Sequence, residues 1–266
     1  MIKLVASDID GTLLVEGTDG INPEIFEVIQ GLKEKGVVFA AASGRQYCSM
    51  KKLFAPVKND IMFIADNGSG IISRGSELFA SIMDRALLEE LVREIRNLKD
   101  CYIVISDRKG ECYLEQKNKE LEDFLENGYH YDIHRVEDVL KAPIEITKCS
   151  IYKKQGILKL APEYIEKYRG KLNVAIAGDI WLDFMNLDAD KGKALKRIQD
   201  TLHILPEETM AFGDNMNDLG MLRMAGESYA VENAADAVKA EAKHIAGSHT
   251  EDGVLKVLKQ LLESFE

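Results

Sequence analysis

Short apolar runs at 2–6, 37–42 and 61–65 alternate with stretches at 22–35 and 46–54 in which apolar residues return every three or four positions. The runs are too short for helices and predict strands buried on both faces, whereas the spaced stretches predict amphipathic helices. Pro23 suits the first turn of a helix and Gly36 its end. The order is therefore βαβαβ, which implies a parallel sheet with helices on both faces. After residue 83 the texture changes. A helical pattern at 84–98 precedes strand-like segments at 102–106 and 112–115 around the turn Arg108-Lys109-Gly110. Further segments at 145–152, 158–168, 174–177 and 181–184, the last two joined by Gly178-Asp179, read as antiparallel strands and a helix. From 191 the first texture returns: helix 191–202, strand 209–212, helix 217–224, strand 228–231 and a last helix over 252–262. The expected fold class is α/β, a Rossmann-like parallel sheet core formed by 1–83 and 185–266, interrupted by an inserted α+β domain at 84–184.

Composition narrows the possible roles. The 266 residues are 46% hydrophobic and 30% charged, as in folded proteins, and no fixed-period repeat or low-complexity tract is present. A net charge of −11 has the wrong sign for a surface that gathers nucleic acid, so no nucleic-acid partner is expected. The insert holds 17 basic and 20 acidic residues and the flanking segments 17 and 25, so the acidity is concentrated in the core. Cys48, Cys101, Cys112 and Cys149 form no CxxC pair and read as reduced core thiols. Asp8 and Asp10 interrupt the opening apolar run before a signal-peptide core forms, and no apolar run approaches the roughly 20 residues of a membrane helix. A cytoplasmic protein without membrane attachment is expected.

In open α/β sheets, ligands bind beyond the carboxyl ends of the strands. Here those ends carry Ser7-Asp8-Ile9-Asp10-Gly11-Thr12, Ser43-Gly44-Arg45, Asp66-Asn67-Gly68 and Gly213-Asp214-Asn215-Met216-Asn217-Asp218. Asp8 and Asp10 are two positions apart, which in an extended chain turns both side chains one way. At about 4 Å and an effective dielectric of about 20 their repulsion is on the order of 4 kcal/mol, and Asp214 would add to it. A cation is therefore called for, and hard carboxylate oxygens suit Mg²⁺. Each motif also has a plain structural reading. Asp10-Gly11-Thr12 makes an Asx turn, Ser43 caps the next helix or holds an anion, and Asp214 and Asp218 cap a helix or meet on one face. Lys191 stands at a helix start, a poor place for a cation, so an anion belongs beside it: Asp188 or Asp190 locally, or a bound phosphate. It is their joint occurrence at one rim that points to phosphate chemistry, because only a divalent cation, Lys191 and aligned N–H groups would make so acidic a site attract an anion.

Asp8-Ile9-Asp10-Gly11-Thr12-Leu13, Ser43-Gly44-Arg45, Asp190-Lys191-Gly192-Lys193-Ala194-Leu195 and Gly213-Asp214-Asn215-Met216-Asn217-Asp218-Leu219 resemble the four ordered motifs of the haloacid dehalogenase-like superfamily. With about a hundred residues inserted before the lysine motif, the chain resembles the Cof-type phosphatases of subclass IIB, whose cap is an α+β domain. Glu232, where that family often has a small residue, is a local departure. The resemblance implies Asp8 as the nucleophile that forms an aspartyl-phosphate, and Asp10 as general acid and then base. It implies Mg²⁺ on Asp8, the backbone carbonyl of Asp10 and Asp214, with Asp218 supporting it. It assigns the phosphoryl oxygens to Ser43, the N–H groups of Gly44 and Ile9, Lys191 and Asn217, and lets Arg45 reach the substrate. The function so implied is a Mg²⁺-dependent phosphatase for small phosphorylated metabolites, sugar phosphates foremost, with a cap that opens and closes. A phosphomutase, a non-catalytic phosphometabolite-binding protein and a structural interaction module are the alternatives.

Outside these motifs, His130 and His134 read as a solvated surface pair, Trp181 as cap core or else a platform that stacks a sugar or flavin ring, and Met216, Met221 and Met224 as packing around the fourth motif. Lys148, Lys153 and Lys154 read as solubilising groups on the cap.

Overall fold

The computed structural model describes residues 1–15 and 20–265. Along the chain run β1 (Leu4–Asp8), α1 (Glu24–Glu34), β2 (Val38–Ala42), α2 (Tyr47–Leu53), β3 (Met62–Ala65), β4 (Gly70–Ser73), β5 (Ser76–Ala80), α3 (Arg85–Ile95), β6 (Tyr102–Asp107), β7 (Cys112–Leu114), α4 (Lys119–Gly128), β8 (Ile133–Arg135) and β9 (Ile146–Tyr152). They continue with α5 (Ala161–Lys167), β10 (Leu172–Ala177), β11 (Trp181–Asn186), α6 (Lys191–Leu202), β12 (Thr209–Gly213), α7 (Leu219–Met224), β13 (Glu227–Val231), α8 (Asp236–Glu241), β14 (His244–Ala246) and α9 (Gly253–Glu263).

Two sheets result. The first has the order β14-β13-β12-β1-β2-β3-β4-β5, parallel from β14 to β3. β1 is buried along its whole length, as a central strand covered on both faces must be. α1 buries Ile25, Val28, Ile29 and Leu32, the helical spacing that seats it on the sheet. The antiparallel hairpin of β4 and β5 extends this sheet beyond the expected parallel core; its strands are short and β5 is largely exposed, so the apolar pattern there is thin. The second sheet, order β10-β11-β9-β6-β7-β8, is antiparallel apart from the β7 and β8 pair. One large buried cluster draws on residues 4–72 and 194–258, and two others on residues 83–184. The fold is thus α/β, with a parallel sheet core and an inserted α+β cap.

Most elements lie within a few residues of their expected bounds. The stretch expected as a helix over 217–224 divides into a single 3-10 turn, Met216–Asp218, followed by α7. The segment at 158–168 is helical only from Ala161, where Pro162 opens the first turn. α4, β8, α8 and β14 lie outside the expected elements; β8 and β14 are three residues long, whereas α4 carries helical spacing at Leu121, Phe124 and Leu125 behind the N-cap Asn118.

The two chain crossings between core and cap are tied to one another. Ser81 Oγ donates to Asp188 Oδ1 at 2.5 Å, and Asn186 Nδ2 donates to Ser81 Oγ at 3.1 Å.

Candidate active site

The carboxyl ends of β1, β2, β3 and β12 converge under the cap sheet. A cavity of about 720 Å³ opens there, lined from below by Asp8, Asp10, Ser43, Gly44, Asp214 and Asn217. The cap contributes Tyr129, Lys148, Ser150, Trp181 and Asp183 to the same cavity.

Asp8 closes β1 and is buried. Its Oδ1 accepts a hydrogen bond from Lys191 Nζ at 2.6 Å, while its Oδ2 has no partner among the described residues. Burial pushes the Asp8 carboxyl well above its ordinary range; the charges of Asp218, Asp214 and Asp10 push the same way and Lys191 opposes them. Asp214 is pushed up to about 6 by burial and by Asp218, against the hydrogen bond it accepts from Thr12. Ligand atoms of Asp8, Asp214 and Asp218 lie within 4.8 Å of one another. Gly11, at φ +83°, lets this happen: a Cβ there would stand 2.6 Å from Asp214 Oδ2.

These observations fit a hard divalent cation. The donors are all oxygens, one buried carboxylate oxygen is unpartnered, and protons are favoured where a cation's charge would substitute for them. Asp8 and Asp214 are the residues with capacity to hold it. Asp218 has less to offer, since its Oδ2 accepts from the N–H groups of Asp214 and Asn215 and its Oδ1 from Lys191. Both of its oxygens are thus already engaged within the protein.

Lys191 opens α6, whose N-cap Asp190 accepts from Lys193 N–H. The anions opposite its ammonium are neither Asp188 nor Asp190 but Asp8 and Asp218, both at 2.6 Å, and its side chain is wholly buried. Burial works against that charge, and the two carboxylates more than offset it, holding the pKa above the usual lysine value.

Asp10 is gripped by Arg45, whose Nε and Nη2 reach its carboxylate at 2.9 Å and 2.6 Å. The Arg45 guanidinium stacks on the cap residue Tyr129 at 5.0 Å. Ser43 caps no helix: α2 begins four residues later, and Ser43 Oγ accepts from Arg45 N–H at 3.0 Å and donates to Asp10 at 3.3 Å. Asn217 Nδ2 donates to Asn67 Oδ1 at 3.0 Å. Asp66 and Asn67 both have positive φ, 49° and 55°, a local strain held by the loop's buried contacts. The Ile9 side chain is buried in the core, so any part it takes at the site falls to its backbone.

The remaining candidates separate. His130 and His134 share no helix; His134 stacks on Tyr113. Met221 is buried on the core and Met224 packs against it, but Met216 is 56% exposed. Trp181 is half-buried against a satellite cluster of the cap and lines the cavity as well. Lys148 does not solubilise the cap: it is buried in β9, between Asp66 and Asp183. Sequence reasoning passed over this lysine because alternation along a strand does not distinguish a cavity from bulk solvent.

A family model described as haloacid dehalogenase-like hydrolase matches residues 5–258. The 5-amino-6-(5-phospho-D-ribitylamino)uracil phosphatase YbjI of Escherichia coli (strain K12) is 30% identical over 276 residues, covering 98% of this chain and 97% of its own. A crystal structure from Eubacterium rectale is 35% identical with a TM-score of 0.87, covering 98% of this chain and 99% of that one. The subclass IIB sugar phosphatase BT4131 shares the fold at a TM-score of 0.80 and 22% identity, covering 97% of this chain and 98% of that one.

Proposed function

We propose that this chain, which belongs to the haloacid dehalogenase-like hydrolases and is a phosphatase, cleaves small phosphorylated metabolites with Mg²⁺ through an aspartyl-phosphate on Asp8. The observation that carries this reading is Asp8 itself: a buried carboxylate with one oxygen fixed by Lys191 and the other unpartnered, at the mouth of a strand and facing a cavity.

In the first step an Asp8 oxygen bonds to phosphorus and the bond from phosphorus to the ester oxygen breaks. Asp10 gives its proton to the departing alkoxide. In the second, Asp10 takes a proton from water as the water oxygen bonds to phosphorus, and the bond to Asp8 breaks to release phosphate. Ser43, the N–H groups of Gly44 and Ile9, Lys191 and Asn217 hold the phosphoryl oxygens, and Lys191 keeps Asp8 oriented throughout. Asp8, Asp214 and the backbone carbonyl of Asp10, with Asp218 behind, would hold Mg²⁺, whose charge would offset that of the approaching phosphate. Arg45 sets the direction of the Asp10 carboxylate before substrate arrives.

Sugar phosphates are the substrate class we favour. Ser150, Asp183 and Asn127 give the cavity hydroxyl partners, and Tyr129 and Trp181 give it ring faces on which a sugar or an attached heterocycle can lie. The E. coli relative is named for a substrate that joins a phosphorylated ribityl chain to a pyrimidine, a shape for which both kinds of wall are suited. Residues 84–184 act as the cap over 1–83 and 185–266. Among the described residues no helix is long and apolar enough to cross a membrane, and the acidic core disfavours nucleic acid; a cytoplasmic location is proposed from the substrate class, small phosphorylated metabolites. Phosphate release from a panel of phosphorylated sugars, nucleotides and cofactors, with and without Mg²⁺, tests the reading. Hydrolysis that needs Mg²⁺ and is fastest with sugar phosphates supports it; a flat response across the panel overturns it.

A further inference from the structure

Lys148 joins the cap to the floor of the site. It lies on β9, and its side chain is 7% exposed. A lysine so buried keeps its charge only where acceptors surround it, and here they come from both sides of the seam. Nζ donates to the carbonyl oxygen of Gly44 at 2.5 Å and pairs with Asp66 Oδ1 at 3.0 Å, both in the core. Within the cap, Asp183 Oδ2 stands 3.7 Å away.

The contacts continue. Asp183 accepts from Ser150 Oγ at 2.7 Å and, back across the seam, from Asn67 Nδ2 at 3.2 Å. Asn67 in turn accepts from Asn217, the last phosphate-facing residue of the fourth motif. Asp66 also accepts from Ser106 Oγ of the cap, which itself accepts from Gln46 of the core. One buried polar network thus runs from the loop after β2, through the cap, to the loop after β12. The Gly44 carbonyl is its most telling member. It belongs to the peptide before Arg45, whose N–H holds Ser43 Oγ and whose guanidinium holds Asp10. Turning that peptide would move the Ser43 hydroxyl, the Gly44 N–H and the Asp10 carboxylate together.

We propose that Lys148 is a positioning residue for the reaction: with the cap down, its ammonium fixes the Gly44 carbonyl and so completes the Ser43-Gly44-Arg45 phosphate loop. The inference rests on the phosphatase reading of this site. It adds that closure does more than exclude water, because the cap supplies the cation that sets the loop beneath it. An exposed contact across the same seam offers a contrast. Arg108 pairs with Glu77 of the core and Glu145 of the cap, at the surface and away from the loop.

The test compares the wild type with Lys148→Met, with Lys148→Met/Asp66→Asn, which restores the buried net charge, and with Arg108→Ala. p-Nitrophenyl phosphate and acetyl phosphate serve as substrates of unlike leaving group, and inorganic phosphate serves as a ligand followed by calorimetry with Mg²⁺ present. Loss of one charge-assisted hydrogen bond to the loop is expected to lower kcat by about 10- to 100-fold in both Lys148 variants. The factor should be alike for the two substrates, phosphate affinity should fall with it, and the Mg²⁺ requirement should be unchanged. Arg108→Ala should stay within about twofold of the wild type. Wild-type kcat and phosphate affinity in the charge-balanced double variant would overturn the proposal, as would a loss confined to one substrate, which is the mark of a direct substrate contact. A wild type that binds phosphate but hydrolyses nothing removes the phosphatase reading alone, and the ratio of phosphate affinities then decides the role of Lys148.

Discussion

Lys191 Nζ and Asp8 Oδ1 lie 2.6 Å apart, 183 residues distant in sequence, with the lysine closed to solvent. The bond removes one rotational choice from the carboxylate and leaves its other oxygen for chemistry. It also explains how a lysine comes to stand at the start of α6, where the helix dipole opposes it: two buried acids more than compensate.

Asp8→Asn keeps the shape of the side chain and an oxygen for Lys191 while removing the proposed nucleophile. Turnover should fall by about 10⁴-fold or more, measured as phosphate release. Without Mg²⁺ the thermal midpoint should not drop, because the substitution deletes one of several acids crowded into the site.

Metal should stabilise the fold as well as activate it. At a hundred times its dissociation constant, Mg²⁺ would add about 2.7 kcal/mol, a rise in melting temperature of about 5 °C or more for a chain of this size. Scanning calorimetry should show the rise in the wild type, its reversal by a chelator, and its absence in Asp214→Asn. An equal response in that variant would place the cation elsewhere.

Gly11→Ala tests the close approach of the loop after β1 to Asp214. The residue sits at φ +83°, where an L side chain costs about 1–2 kcal/mol. Its new methyl would also displace a carboxylate oxygen 2.6 Å away. Activity should fall by about tenfold or more, and half-saturation by Mg²⁺ should move to higher concentration. Kinetics unchanged at every Mg²⁺ level would contradict the role given to Asp214.

How far these residues were legible beforehand depends on what kind of pattern carried them. Asp8, Ser43, Asp214 and Asn217 follow buried strands, and a parallel sheet delivers such positions to one rim, so their convergence could be read from periodicity. The partners of Lys191 could not: both neighbouring aspartates were nearer in sequence, and only the packing of α6 against α7 and the turn at Met216–Asp218 brings its ammonium to Asp8 and Asp218. Lys148 and Asp183 were lost for a related reason. They come from cap strands whose polar positions face a cavity, and a polar residue facing a cavity looks like one facing water. The hairpin of β4 and β5 escaped because an exposed edge hardly alternates.

The thiols give a pH test independent of catalysis. Cys101, Cys112 and Cys149 are buried and Cys48 is half-buried. Burial pushes Cys48 up to about 11 and Cys112 up to about 12, and raises Cys101 and Cys149 as well. A thiol whose folded pKa exceeds its unfolded one stays protonated after the unfolded chain has released its proton. Their contribution to stability is therefore full below about pH 9 and is lost as pH climbs through 11. Urea melts at pH 8 and pH 10 should show the decline. At pH 8 a thiol reagent should label the native protein slowly and all four cysteines after unfolding.

The clasp formed by Ser81, Asn186 and Asp188 makes the outgoing and returning chain a single pivot. On the proposed reading of residues 84–184 as a cap, one pivot would give it one principal arc of swing and bring the same face down on the same four strand ends. What lies between the crossings is then free to vary in size and chemistry without losing its aim, and recognition of new leaving groups can be acquired in the roof while the hydrolytic floor stays as it is.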